Sequence, residues 1–356
     1  MFVVERASRK YNYIDFVSRE AINIIMSMHY EPIERGLRME KRLAERLTRK
    51  KAQLDEHRPL RPGILVRLHE DLRIRLTYHS NAIEGNSLTL KETQIVVEEG
   101  MTIGGHSIRE HLEATNHAGA YALLRQLTER GAQITLSTIL ELHALVLHEL
   151  NPTAGQFRQQ PVYVRGSDLV TPHYSQVPEL MRQWVVWVNQ ATDDHPVVRA
   201  AIAHHGFVMV HPFEDGNGRC ARLLLNMQLL RDGYAPAFLL RDWKGRYLAA
   251  LGAADKGEYT PIINLVGQAV EAGLDFYLDA CNARPDEHYQ QLAILAKTIG
   301  HDPNYLGLLA RQGKLEAVKR GGRWYSTLTA IQTYLDQAQA GLLQRGRPPK
   351  STLDQE

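Results

Sequence analysis

"HPFEDGNGRCAR", residues 211–222, decides the reading of this chain. Gly216 and Gly218 flank Asn217, and the run "ARLLLNMQLL" that follows Arg219 is apolar enough to be a buried helix. Two glycines within three residues weaken regular structure and mark a backbone that turns tightly or is closely approached. The spacing therefore places "DGNG" at a helix N-terminus, where unpaired N–H groups and the positive end of the helix dipole attract anions. Arg219 and Arg222 are three apart and share a helix face, so both can reach further anionic oxygens. Asp215 supplies a hard oxygen ligand beside that anion site, as magnesium on phosphates requires. His211 precedes them and can accept a proton from an incoming hydroxyl, an effect worth about 10²–10⁴ in rate. A base, a metal ligand and a phosphate cradle within one short stretch describe transfer chemistry on a nucleotide. The rival reading, a metal cluster of His204, His205, His211 and Asp215, is weaker: adjacent helical histidines point about 100° apart, and no H-E-x-x-H pair is present.

The rest of the chain supports a mostly helical protein. Over 356 residues, 44% apolar and 23% charged content with a net charge of +2 are those of a globular protein without a strong overall field. Cys220 and Cys281 lack metal-ligand spacing and suit a reducing compartment. The opening "MFVVERASRK" has no apolar signal core, so a cytoplasmic location is expected. Charge-rich residues 35–58 read as an amphipathic helix. After Pro62-Gly63 the stripe Leu65, Leu68, Leu72, Leu76 continues to Ser80 and Glu84, and Gly85-Asn86 ends it. Further helices are expected over 107–130, 135–150, 178–191, 196–210, 217–232 and 244–255. The segment 155–174, with β-branched and aromatic residues on both sides of "RGSD", reads as a β-hairpin. "CNARPDE", 281–287, marks a domain boundary.

The stretch 211–222 matches in full the signature H-x-F-x-(D/E)-G-N-G-R-x-x-R of the Fic family, and "RAAIAHHGFVMV" before it and "RYLAAL" after it are also similar to that family. The resemblance implies a protein adenylyltransferase that moves AMP from ATP to a tyrosine, threonine or serine hydroxyl, with ATP as co-substrate and Mg2+ as cofactor. It implies His211 as general base, Asp215 as metal ligand, Gly216, Asn217 and Gly218 as anion hole, and Arg219 and Arg222 on the phosphate tail. Val162, Tyr163 and Val164 would lie in a hairpin flap that docks the target by strand addition. Tyr247 and Asn264 would contact the adenine side. "SNAIEGN", 80–86, matches the family's inhibitory motif (S/T)-x-x-x-E-(G/N), so Ser80 and Glu84 would form an N-terminal inhibitory helix in which Glu84 competes for Arg222. In some members the same glutamate also serves AMP removal. Transfer of another group, such as UMP or a phosphate, stays open on such a scaffold.

Residues 295–335 read as helix, turn, helix, a tight hairpin around "KRGGRWY", then a helix. This resembles the winged helix-turn-helix units of excisionase-like proteins, which implies DNA or a protein as partner. The tail "RGRPPK", 345–350, is similar to a minor-groove hook. The expected organisation is residues 1–95 as an N-terminal helical segment, 96–280 as the Fic core, 285–340 as the winged unit and 341–356 as a basic tail. A nucleotide-sensing DNA regulator and a homodimer both stay open, and the target is unknown, self-modification included.

Overall fold

The computed structural model describes residues 38–60, 62–164, 169–191, 194–282, 290–312, 314–315, 317–320 and 323–339. The basic tail lies outside the described residues. The chain divides into two compact units at Cys281 and Asn282.

The first unit is helical: α1 (Lys41–Glu56), α2 (Pro62–Glu84), α3 (Leu90–Glu99), α4 (Ile108–Glu129), α5 (Leu136–Val146), α6 (Val177–Asn189), α7 (Pro196–Val210), α8 (Asn217–Arg231), α9 (Lys244–Ala254) and α10 (Thr260–Asn282). Their limits follow from local chemistry. Thr89 with Glu92 and Ser107 with Glu110 form capping boxes at the starts of α3 and α4. Proline takes a first-turn position in α6 and α7, where its missing N–H costs nothing. Ile64, Leu68, Leu72 and Leu76 of α2 are buried, which is the stripe expected from the sequence with Ile64 in place of the half-buried Leu65.

Helix α8 forms the axis of the unit. Nearly every side chain from Asn217 to Leu229 is buried, and α8 packs against α7, α4, α5 and α2. A helix buried all round keeps little freedom of position, so the residues at its start are held firmly. α1 is tied to α10 by Arg46, whose Nε and Nη2 donate to Glu271 at 2.8 and 2.9 Å. Three expectations need adjustment. The fifth helix ends at Val146 rather than 150, where the chain turns through Glu149 at φ 58. Helices α3 and α10 were not read from the sequence. The described residues of 155–174 include no strand, Thr171 Oγ1 donates to the Val162 carbonyl at 3.1 Å, and the central "RGSD" of the expected hairpin lies outside the described residues.

The second unit has its own core of Leu292, Leu295, Leu306, Leu309, Leu315, Ile331 and Tyr334. Its order is β1 (Gln290–Gln291), α11 (Leu292–Thr298), α12 (Pro303–Arg311), β2 (Val318–Arg320), β3 (Arg323–Ser326) and α13 (Leu328–Gln339). The sheet is antiparallel in the order β1-β3-β2, with Lys319 opposite Trp324 and Gln290 opposite Ser326. Among the described residues of either unit, no helix is long and apolar enough to cross a membrane.

Candidate active site

The loop between α7 and α8 is fixed by side chains that turn back on its own backbone. His211 caps α7 in the left-handed region, at φ 47 and ψ 60. Asn217 clasps Phe213 at two points, accepting its N–H at 2.9 Å and donating to its carbonyl at 2.8 Å. The asparagine side chain thus shapes the loop, and only its backbone faces outward duty. Phe213 is fully buried and stacks on His143, with ring centroids 3.6 Å apart. Burial lowers the pKa of His143 to about 4, so it is neutral. In that state Nδ1 accepts from the Gly155 N–H at 2.8 Å and Nε2–H donates to the Asp215 carbonyl at 3.1 Å. His143 therefore buttresses the loop from beneath.

Gly216 starts α8 at φ 75, a conformation that favours glycine, and a Cβ there would press on Leu147 at 3.3 Å. Gly218 has a different reason. A Cβ on Gly218 would lie 2.3 Å from Glu84 Oε1, so the Glu84 carboxylate rests directly against the helix N-terminus. The cradle expected for phosphate thus holds an anion from the chain itself.

That anion is fixed by Arg222. Arg222 Nη2 donates to Glu84 Oε1 at 2.7 Å and to the Ser80 carbonyl at 2.9 Å, while its Nε donates to Ser80 Oγ at 2.9 Å. The Arg222 side chain is 5% exposed and that of Glu84 40%, so the guanidinium is buried while its carboxylate partner is open to solvent on one side. Burial alone would raise the Glu84 carboxyl pKa, but Arg222 outweighs it and holds the group below its ordinary value. Tyr247 lies beside Arg222 and donates to His204 Nε2 at 2.9 Å; His204 Nδ1–H in turn donates to the Ala221 carbonyl. His205 bonds Asp255 at 2.9 Å. Both histidines are thus structural, and among the described residues no group of three or more metal-ligating side chains occurs.

His211 Nδ1 faces the Val208 carbonyl at 3.2 Å. A carbonyl only accepts, so Nδ1 carries the hydrogen and Nε2 keeps the lone pair that a base needs. Burial pulls the imidazole pKa below its ordinary value, and Arg158 adds to the fall. Asp215 is engaged on both oxygens: Oδ1 accepts from Gly216 N at 2.6 Å and Arg219 Nη2 at 3.3 Å, and Oδ2 from Arg109 Nη2 at 3.0 Å. Arg219 also lies 3.5 Å from Glu113, which accepts from Arg109 Nε at 3.2 Å. Burial would raise the Asp215 carboxyl, but Arg219, the Gly216 N–H and Arg109 together hold it down, so it is an ionised hard oxygen donor beside the cradle. These residues fit a magnesium ion on phosphates.

The fold thus brings Ser80, Glu84, His211, Asp215, Gly218, Arg222 and Tyr247 into one neighbourhood. The Asn264 side chain accepts the Glu40 N–H at 2.9 Å, and Tyr163 is 94% exposed. Arg109, Glu113, His143 and Arg158 escaped the sequence reading. Of these, only Arg109 and Glu113 left a trace there, as an i,i+4 pair on one helix.

A half-buried histidine with a free Nε2, an ionised carboxylate and a buried arginine thus meet at the start of one helix in a helical fold. Comparison with known proteins narrows this. The family model described as Fic/DOC matches residues 133–229. Protein adenylyltransferase fic-1 of Caenorhabditis elegans is 38% identical over 227 residues, 62% of this chain and 44% of that protein. Protein adenylyltransferase Fic of Drosophila grimshawi is 36% identical over 259 residues, 70% of this chain and 52% of that protein. A solved fragment of Fic-1 from C. elegans matches with a TM-score of 0.58 and 32% identity over 78% of each chain. A Fic-domain signalling protein from Bacteroides thetaiotaomicron matches with a TM-score of 0.63 at 27% identity, covering 67% of this chain and 98% of that one. This chain belongs to the Fic/DOC family. It spans about half the length of the curated relatives it matches.

Proposed function

We propose that this chain is a protein adenylyltransferase that transfers AMP from ATP to a hydroxyl of a protein and is restrained by its own Glu84. The observation that supports this reading is the Glu84 carboxylate seated against Gly218 and bonded to Arg222, an anion held at the helix start where a phosphate oxygen of the nucleotide would sit. In the productive arrangement the α8 N-terminus with Gly216, Asn217 and Gly218 receives phosphate oxygens, and Arg219 and Arg222 hold the tail. The target oxygen attacks the α-phosphorus, forming a new P–O bond as the α–β bridging P–O bond breaks and pyrophosphate leaves. His211 Nε2 takes the hydroxyl proton. Asp215 would hold magnesium, which when bound supplies Lewis-acid charge to the phosphate oxygens. Val162, Tyr163 and Val164 would pair with the target segment, and Tyr247 and Asn264 would border the base. With Glu84 in place, Arg222 is not free for the tail, and ATP is held poorly or misaligned. Ser80, on the same helix as Glu84, would keep Arg222 in place through its hydroxyl and its carbonyl.

The identity of the transferred group is tested by mass spectrometry of Glu84→Gly protein incubated with magnesium and ATP, or with UTP in its place. An AMP adduct only with ATP is expected. A UMP adduct or a bare phosphate would replace the reading by its nearest rival.

For the second unit we propose a winged helix-turn-helix that docks a partner, duplex DNA being the one tested. The supporting observation is its order of two helices, a hairpin carrying Lys319, Arg320 and Arg323, and a closing helix. Duplex retardation at low salt should weaken steeply as salt rises, since each phosphate contact adds about −0.9 to the log–log slope. No retardation at low salt would remove DNA as the partner.

A further inference from the structure

Arg158 stands where the chain leaves the turn after α5 and enters the two arms on either side of residues 165–168. Its side chain is 2% exposed. Burial pulls its guanidinium below the ordinary arginine value, with no carboxylate among the described residues opposing that fall. A buried cation is costly unless polar groups replace its water, and here backbone carbonyls do so. Nε donates to the His211 carbonyl at 2.8 Å, Nη1 to Gln160 at 3.2 Å and Nη2 to Pro172 at 2.6 Å. The Arg158 N–H adds a bond to the Pro212 carbonyl at 2.9 Å. One planar group therefore joins the roots of both arms to the backbone of the base. His211 itself sits at φ 47, where residues other than glycine are uncommon and the surroundings must hold the backbone in place.

We infer that Arg158 is a positioning residue that fixes the docking arm Val162–Val164 relative to His211, so that a hydroxyl carried by a peptide on that arm meets Nε2. The rigid guanidinium fork reaches four carbonyls, Val210 at 3.5 Å being the longest; a lysine ammonium on a flexible stem cannot reproduce that plane. None of the bonds runs to the cradle at Gly216–Arg222, so Arg158 governs the acceptor side of the reaction and leaves the nucleotide side alone. The kinetic part of this inference rests on the adenylyltransferase reading, whereas the mechanical coupling of arm and base does not.

The test uses the full chain with Arg158→Lys, and Arg158→Gln beside it, each in the Glu84→Gly background. Amide hydrogen exchange is followed over 160–164 with 169–173, over 207–213, and over 217–231. Exchange in the first two regions should rise together, by at least about tenfold, because buried charge-assisted bonds to both are lost. Exchange over 217–231 should stay unchanged. The kcat for labelling a protein acceptor should fall about 10²-fold, the scale of an approximately 1 Å misplacement. The ATP Kd by calorimetry should move by less than about twofold, since none of the bonds lost reaches Gly216–Arg222. Unchanged exchange in arm and base, or a loss spread over all three regions with a lowered melting temperature, would overturn the inference. If the Glu84→Gly parent transfers no label, the AMP reading falls and the exchange pattern still decides the role of Arg158.

Discussion

Glu84→Gly should raise AMP transfer by about 10²-fold over the native chain, the penalty that a misplacement of roughly 1 Å imposes on a reacting pair. The physical basis is competition for one guanidinium. Arg222 Nη2 bonds Glu84 at 2.7 Å, and the same carboxylate stands where a phosphate oxygen would meet the Gly218 backbone. Removing the carboxylate leaves Arg222 anchored by Ser80 through Nε and Nη2 and hands the cradle to ATP. The change also removes an anion from a nearly buried cation, so the free protein should lose some stability. ATP with magnesium should restore it, giving Glu84→Gly a larger rise in melting temperature than the native chain at the same nucleotide concentration. Equal rates and equal thermal shifts in the two proteins would remove Glu84 as the restraint.

His211→Ala in the Glu84→Gly background should lower transfer by about 10²–10⁴-fold, the usual loss of a general base. Nucleotide binding should persist, because the cradle and Arg222 are untouched. The direction of the pH dependence follows from the same residue. Burial first, and Arg158 with it, place the His211 pKa below 6.5. The base is active when neutral, so the rate should fall toward acid pH with the midpoint of that limb below pH 6.5. Glu84 is also held below its ordinary value, chiefly by Arg222, so the restraint stays charged through the neutral range. An acid limb centred above pH 6.5 would contradict this account of the imidazole.

Much of the site was legible in the sequence because the chemistry sits within one stretch. Gly216, Gly218, Arg219 and Arg222 announce a helix start built for anions, and their spacing alone places both arginines on one face. The link between Glu84 and Arg222 spans 138 positions and no local pattern indicates it. It was foreseen through the resemblance of "SNAIEGN" to an inhibitory motif. Asn217 was read as part of the anion hole, yet its amide is spent on Phe213, a use that only loop geometry reveals. Arg158 and His143 were missed for a related reason: their partners are mainly backbone groups, which carry no sequence identity. Helix α10 was missed because Pro261, Gly267 and Gly273 interrupt its apolar pattern. The proline occupies the first turn and Gly273 lets the chain pass the Pro236 carbonyl, where a Cβ would lie at 2.0 Å.

The most direct test of the restrained-transferase account is label transfer to protein from ATP radiolabelled at the α-phosphate, with magnesium. The native chain, Glu84→Gly, and Glu84→Gly with His211→Ala run side by side. Strong labelling by Glu84→Gly alone is the expected result, with the native chain weak and the double variant near background. Equal labelling of the native and Glu84→Gly chains, or labelling that survives His211→Ala, would contradict it.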